Sequence, residues 1–118
     1  MLRKEFFNYL KNDIFVIPKC LNCNKFIWPP FYLCDNCHQN TTLIKGSRIG
    51  NIKEYSTSYY NNKTEIFALV EIDGIRLMGN VVGEKILKGS TVILKECGIK
   101  IDGTPYFSFI LSEDQRLD

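Results

Sequence analysis

Histidine is almost absent from this sequence: among 118 residues only His38 carries an imidazole. That excludes multi-histidine metal sites, and it excludes hydrolases built on a histidine triad unless His38 itself serves. No apolar run approaches the ~20 residues needed to span a bilayer. The start of the chain, Met1-Leu2-Arg3-Lys4-Glu5, lacks the apolar stretch and small-residue cleavage site of a signal peptide. A cytoplasmic protein that does not engage membrane is expected. Charge of one sign is also scarce. Lys and Arg number 15 against 13 Asp and Glu, a net charge of +2, well short of the basic footprint of a dedicated nucleic-acid binder. Glycine-rich phosphate loops, nucleophile elbows and metalloprotease helix motifs are missing too. The acids Glu65, Glu71, Asp73 and Glu84 are scattered over presumed strand ends and turns with no spacing that pairs them. Catalysis by this chain alone is not expected.

What remains is enough for one domain, or one small domain plus a mini-module. Hydrophobic residues make up 45% and charged residues 24%, a balance that favours a folded globule over disorder. Residues 1–13 predict a helix, because Leu2, Phe6, Tyr9 and Leu10 recur at helical spacing opposite Lys4, Glu5, Asn8 and Lys11. So short a helix needs something to pack against, either the body of this chain or another protein. Residues 14–46 hold four cysteines and little periodicity. From residue 47 to 112 the sequence reads as five strands, over 47–60, 65–72, 75–82, 91–97 and 106–111, joined through turn signals at Asn61-Asn62-Lys63, Asp73-Gly74 and Asp102-Gly103. Five short strands with tight turns predict a small barrel of the OB-fold type. Residues 113–118 read as a polar, flexible tail. The expected fold is mainly β: a short N-terminal helix, a ribbon of the rubredoxin kind and a five-stranded OB-fold barrel.

The cysteines carry the strongest chemical signal. Five is an odd number, which fits poorly with a fully paired disulfide framework. Four of them form two pairs, Cys20-Leu21-Asn22-Cys23 and Cys34-Asp35-Asn36-Cys37, separated by ten residues. Each two-residue gap lets both thiolates of a pair reach one ion, and two pairs complete a tetrahedral sulfur site for zinc, or for iron in the same four-sulfur shell. The spacer predicts a hairpin over residues 25–33 that folds one pair back on the other. A closed sulfur shell leaves no open position for water or substrate, so the expected role of the metal is structural. Cys34-Asp35-Asn36-Cys37-His38 also matches the haem-attachment pattern, but covalent haem would leave the first pair unexplained, and His38 is read as a surface residue flanking the metal. Cys97 is read as a small buried hydrophobe.

Aromatics crowd the interval between the two pairs. Phe26, Trp28, Phe31 and Tyr32 either pack against the barrel or form a recognition surface for a base, an adenine or a protein partner. Tyr55 and Tyr59 share one face of the first barrel strand and Tyr60 takes the other. Such tyrosines either stack bases or simply pack.

The ordered set formed by Cys20 to Cys23, Trp28-Pro29-Pro30, Cys34 to Cys37, Gly50-Asn51-Ile52-Lys53-Glu54-Tyr55-Ser56-Thr57, Ala68-Leu69-Val70-Glu71-Ile72, Gly79-Asn80-Val81-Val82-Gly83, Lys88-Gly89-Ser90-Thr91-Val92 and Tyr106-Phe107-Ser108-Phe109 resembles an acyl-CoA-associated OB-fold family with an N-terminal rubredoxin-like zinc ribbon, domain of unknown function 35. Asn24 and His38 depart from the family pattern, standing where glycine often follows each cysteine pair. The resemblance implies a non-catalytic accessory subunit for thiolase-fold acyl-CoA enzymes, of thiolase or hydroxymethylglutaryl-CoA synthase type, that helps form a CoA-binding channel within a hetero-oligomer. It also implies a cytoplasmic, archaeal-like protein. Lys25, Phe26, Trp28, Phe31 and Tyr32 are the candidates for a partner-facing or CoA-facing surface, with Lys19 beside them. The alternative is a single-stranded nucleic-acid-binding module, since zinc ribbons and OB barrels both serve that purpose.

Overall fold

The computed structural model describes residues 2–112; Met1, residues 113–118 and the side chains of Leu2, Arg3 and Tyr60 lie outside the described residues. The flexible tail expected over 113–118, and the orientations expected for Leu2 and Tyr60, fall there. Helix α1 runs over Leu2–Lys11. Phe6 and Leu10 on one side of it are buried at 2% and 0% exposure, and the helix packs on its own chain. Phe7 joins them at the edge of the core. Tyr9, expected on that face, is exposed, because the buried stripe of so short a helix is narrower than the pattern implied.

Three strands follow, β1 (Val16–Cys20), β2 (Lys25–Phe26) and β3 (Thr42–Lys45), in a sheet of order β2-β1-β3. This corrects the expectation of little regular structure over 14–46. β1 is buried along nearly its whole length, which erases the two-residue alternation that marks a half-exposed strand, and Pro18 at its centre argues against a strand on sequence grounds. The hairpin expected over 25–33 is also corrected. Pairing runs instead across the first cysteine pair, with Lys19 opposite Phe26 and Cys20 opposite Lys25. β2 ends at Phe26, two residues before the cis Trp28-Pro29 bond, and two consecutive prolines have no N–H to donate to a ladder.

The remaining strands are β4 (Ile49–Tyr60), β5 (Lys63–Ile72), β6 (Ile75–Val82), β7 (Thr91–Ile99) and β8 (Pro105–Leu111). They close into a barrel of order β4-β5-β6-β8-β7. β7 returns to β4 over Ile49–Asn51, and β6 and β8 run parallel, as in an OB-fold. Two of the barrel's three hairpin turns have left-handed residues at both central positions: Asn61 and Asn62 (φ 51° and 61°) between β4 and β5, Asp73 and Gly74 (φ 53° and 85°) between β5 and β6. That geometry matches the twist of the flanking strands and selects Asn, Asp and Gly.

One apolar core runs through the barrel and out to the helix. Ile52, Val70, Leu77, Val92, Leu94 and Phe109 fill the interior, and Phe6, Leu10, Phe15 and Ile17 extend it beneath α1 and β1. No helix among the described residues is long and apolar enough to cross a membrane.

Candidate metal centre

Cys20, Ile27 and Cys34 form a second, much smaller buried cluster, with Cys23 and Cys37 half-buried against it. Ile27 is its one aliphatic member, too little to hold a loop of this length by burial alone. The sulfurs occupy the rest. All four Sγ atoms lie within 4.8 Å of one another, and all four cysteines are free thiols. Cys20 and Cys37 are 3.5 Å apart and Cys23 and Cys34 3.9 Å. A tetrahedral sulfur shell with metal–sulfur bonds of about 2.3 Å has edges of about 3.8 Å, so the cluster has the size of a four-sulfur metal site. It could hold a metal ion.

The two pairs are built alike. The Asn24 amide donates to the Cys20 carbonyl at 2.7 Å, and the His38 amide donates to the Cys34 carbonyl at 2.9 Å. Each pair is thus closed by a turn whose last residue is left-handed, Asn24 at φ 58° and His38 at φ 63°. That region suits glycine, and Asn and His are among the other side chains best tolerated there. Amides point inward at the sulfurs. The Cys23 N–H meets Cys20 Sγ at 3.3 Å, the Asn36 N–H meets Cys34 Sγ at 3.4 Å, and Asn36 Nδ2 donates to Cys23 Sγ at 3.4 Å. Such donors favour the thiolate form that a metal requires. The Gln39 amide, followed by the Asn22 side chain, lowers the Cys37 thiol to about 6. The amides of Cys37 and Asn36 likewise lower Cys34. Cys23 differs: the Asn36 side chain pulls it down, but the neighbouring sulfur of Cys37 and burial push it up to about 11.

Across the two pairs, Lys25 Nζ and Asp35 Oδ1 meet at 2.9 Å on the surface. This contact holds the Lys25 ammonium up and the Asp35 carboxyl down. Lys19 lies over the Phe26 ring, 5.2 Å from its centroid. The expected surface residues therefore divide. Phe26 and Trp28 pack against the main core, and Trp28 makes edge contacts with Phe6 (5.9 Å) and Phe107 (6.2 Å). Phe31 and Tyr32 stand together, 4.8 Å between centroids, at 52% and 49% exposure. A groove of about 430 Å³ separates the ribbon from the β5–β6 turn, lined by Lys25, Phe26, Trp28, Asp35, Gly74 and Arg76. Arg76 was not among the residues singled out from sequence. Nothing in the linear pattern brings position 76 to the ribbon; only barrel closure does.

His38 is exposed beside the second pair. Cys97 is buried in the main core, where burial raises its thiol to about 11, the state of an inert cysteine. It is not purely apolar. Its N–H donates to Asp13 Oδ1 at 2.9 Å, and its Sγ lies 3.6 Å from the same oxygen.

No protein-family model matches the sequence, and no curated protein matches it. Solved structures do match the fold. One is a chain of the Ltp2–ChsH2(DUF35) aldolase, with a TM-score of 0.76 and 23% identity over 93% of this chain and 94% of that one. Another is a DUF35-family protein of unknown function from Sulfolobus solfataricus, with a TM-score of 0.65 and 18% identity over 92% and 84%. Helix, four-cysteine ribbon and closed barrel together give this chain the fold of DUF35-family proteins.

Proposed function

We propose that this chain is a non-catalytic accessory subunit that binds a thiolase-fold acyl-CoA enzyme and helps form its CoA-binding channel. Cys20, Cys23, Cys34 and Cys37 hold zinc as a structural staple for residues 14–46. The observation that carries the reading is the likeness, over nearly the whole length of both chains, to a chain of a two-component aldolase. Further support comes from the distribution of polar groups. Among the described residues the main core contains no buried polar or charged side chain, and the ion pairs found are surface contacts such as Lys53–Glu71 and Lys88–Glu54. A zinc ion in a closed sulfur shell stabilises the fold and offers no site for substrate. The chain's own residues would then act by position. Arg76 in the groove, with Lys25 once a phosphate displaces its partner Asp35, supplies positive charge toward CoA phosphates, and the exposed Phe31–Tyr32 pair supplies apolar contact area. Holding two enzyme surfaces together keeps an intermediate from escaping to bulk solution.

The test is affinity capture of the tagged chain from its native cell extract at moderate salt, read by mass spectrometry, with elemental analysis of the same eluate. A thiolase or synthase in near-equal amount, together with zinc, is the expected result. Partners that disappear on nuclease treatment would instead make the barrel a single-stranded nucleic-acid binder.

A further inference from the structure

β4 is paired with β5 along its full length from Asn51 to Tyr60, but its other edge meets β7 only over Ile49–Asn51. The next residue, Ile52, is still engaged, donating to the Ser90 carbonyl and accepting from the Gly89 amide. From residue 53 to 60, among the described residues, no backbone hydrogen bond reaches that edge, and Lys88 of the connection before β7 meets Glu54 only through their side chains. After Lys53 and Glu54 the edge continues as Tyr55-Ser56-Thr57-Ser58-Tyr59-Tyr60, six consecutive uncharged residues without proline or glycine. Natural edges are usually protected by lysine, proline or a bulge within the run. Here the lysine and the bulge coincide at the start of the edge, at Lys53 between Ile52 and Glu54, and residues 55–60 have neither. The β4–β5 arm also stands clear of the barrel, with residues 56–59 and 61–65 exposed on both faces. An isolated two-stranded ribbon is marginal alone.

We propose that this edge pairs with the same edge of a second copy of the chain, antiparallel about a two-fold axis through Thr57. The register follows from the sequence. A two-fold axis normal to the sheet keeps each face on its own side, so the axis passes through a residue. Centred on Thr57, it sets Thr57 against Thr57, Ser56 against Ser58, and Tyr55 against Tyr59 on the face that Thr57 shares. Tyr55 and Tyr59 are 40% and 71% exposed, and cross-strand aromatic pairs are among the stabilising contacts of a sheet. Glu54 then faces position 60, so no like charges oppose within the strand. Centring on Ser58 instead would set Tyr55 against Asn61 in the turn and lose both tyrosine pairs. Pairing along one edge buries less than a standard interface, so the dimer is weak and concentration-dependent. This inference does not depend on the acyl-CoA reading.

The test is sedimentation velocity of the full chain from micromolar to millimolar concentration, with hydrogen exchange of the amides of residues 54–59. A monomer–dimer shift is expected, together with slower exchange of those amides as concentration rises. Thr57→Lys and Thr57→Glu should each weaken dimerisation by about tenfold or more through like charge on the axis, with the circular dichroism and melting of the monomer unchanged. Mixing the two variants should restore a dimer, since opposite charges then meet there. Wild-type chain that stays monomeric throughout would overturn the proposal. So would a Thr57→Lys variant that associates as strongly as wild type while Met78→Lys, on the exposed outer wall of the barrel, does not.

Discussion

Two left-handed residues close the cysteine turns, and they differ in how well they suit the position. Asn24 hydrogen-bonds locally and adopts positive φ at modest cost; His38, at φ 63°, carries a larger ring into the same region. Replacing His38 with glycine removes that strain but frees the unfolded chain, so the net gain is about 0.5–1 kcal/mol, whereas Asn24→Gly is close to neutral. Thermal unfolding of the metal-loaded protein reads both, and a destabilised His38→Gly variant would mean that the imidazole contributes a contact of its own. A third left-handed residue, Asp13 at φ 59°, follows α1. Its Oδ1 accepts from the Cys97 amide and from Arg48 Nη2 at 3.0 Å, while Arg48 also donates to the carbonyls of Leu94 and Lys95. The Cys97 amide, then Arg48, hold the Asp13 carboxyl below its ordinary range. A depressed carboxylate contributes stability above its unfolded pKa, near 3.9, and loses it as pH falls through the folded value. Asp13→Ala should therefore cost about 1–2 kcal/mol at neutral pH. Asp13→Asn, which keeps an acceptor and the left-handed preference, should lose less and flatten the stability curve below pH ~4. Denaturant titrations at a series of pH values check both.

At the scale of elements, legibility depended on how much of each strand faces water. β6 alternates buried and exposed residues along its length, and its bounds are those read from the sequence. The turns at Asn61-Asn62 and Asp73-Gly74 were legible because few residues other than Asn, Asp and Gly tolerate their backbone. The four-cysteine cluster was legible because ligand spacing is a local property. β1 and β3 were not. Burial on both faces hides the period of β1, β3 is only four residues long, and their pairing spans more than twenty intervening residues. The β6–β8 contact is also non-local, and it depends on one small residue. Gly79 lies opposite Ala68 on the inner face, next to the parallel β6–β8 pairing that begins at Asn80 and Ser108. A Cβ on Gly79 would run into the Phe107 carbonyl oxygen and come within 2.8 Å of the Phe109 ring. Backbone cannot swing aside as a side-chain tip can, so Gly79→Ala should cost about 2–3 kcal/mol in denaturant unfolding. A near-neutral result would mean that β8 shifts along the wall without opening the barrel.

At the scale of the molecule, two routes join the ribbon to the barrel. One is β1, which carries Phe15, next to its first residue, and Ile17 in the main core and ends on Cys20 in the metal cluster. The other is the pair Phe26 and Trp28, either side of the buried Ile27; both pack on the main core, and the Trp28 ring lies edge-on to Phe6 of the helix and Phe107 of β8. Through these two routes, ordering of the cysteine loops by a metal raises the stability of the whole chain instead of the ribbon alone. Removing the metal should therefore lower the unfolding midpoint of the barrel as well. Trp28 is the sole tryptophan, so its fluorescence reports the junction directly: chelation should shift the emission to the red as the indole leaves its aromatic neighbours for water. Trp28→Ala deletes a half-buried ring and should cost about 2 kcal/mol in the metal-loaded protein. It should also shrink the drop in barrel midpoint caused by chelation, because only β1 and the Phe26 contact then remain. Trp28→Phe, which keeps a ring against Phe6 and Phe107, should recover most of that drop. If Trp28→Ala left the drop unchanged, β1 and Phe26 would carry the coupling and Trp28 would be packing without transmitting.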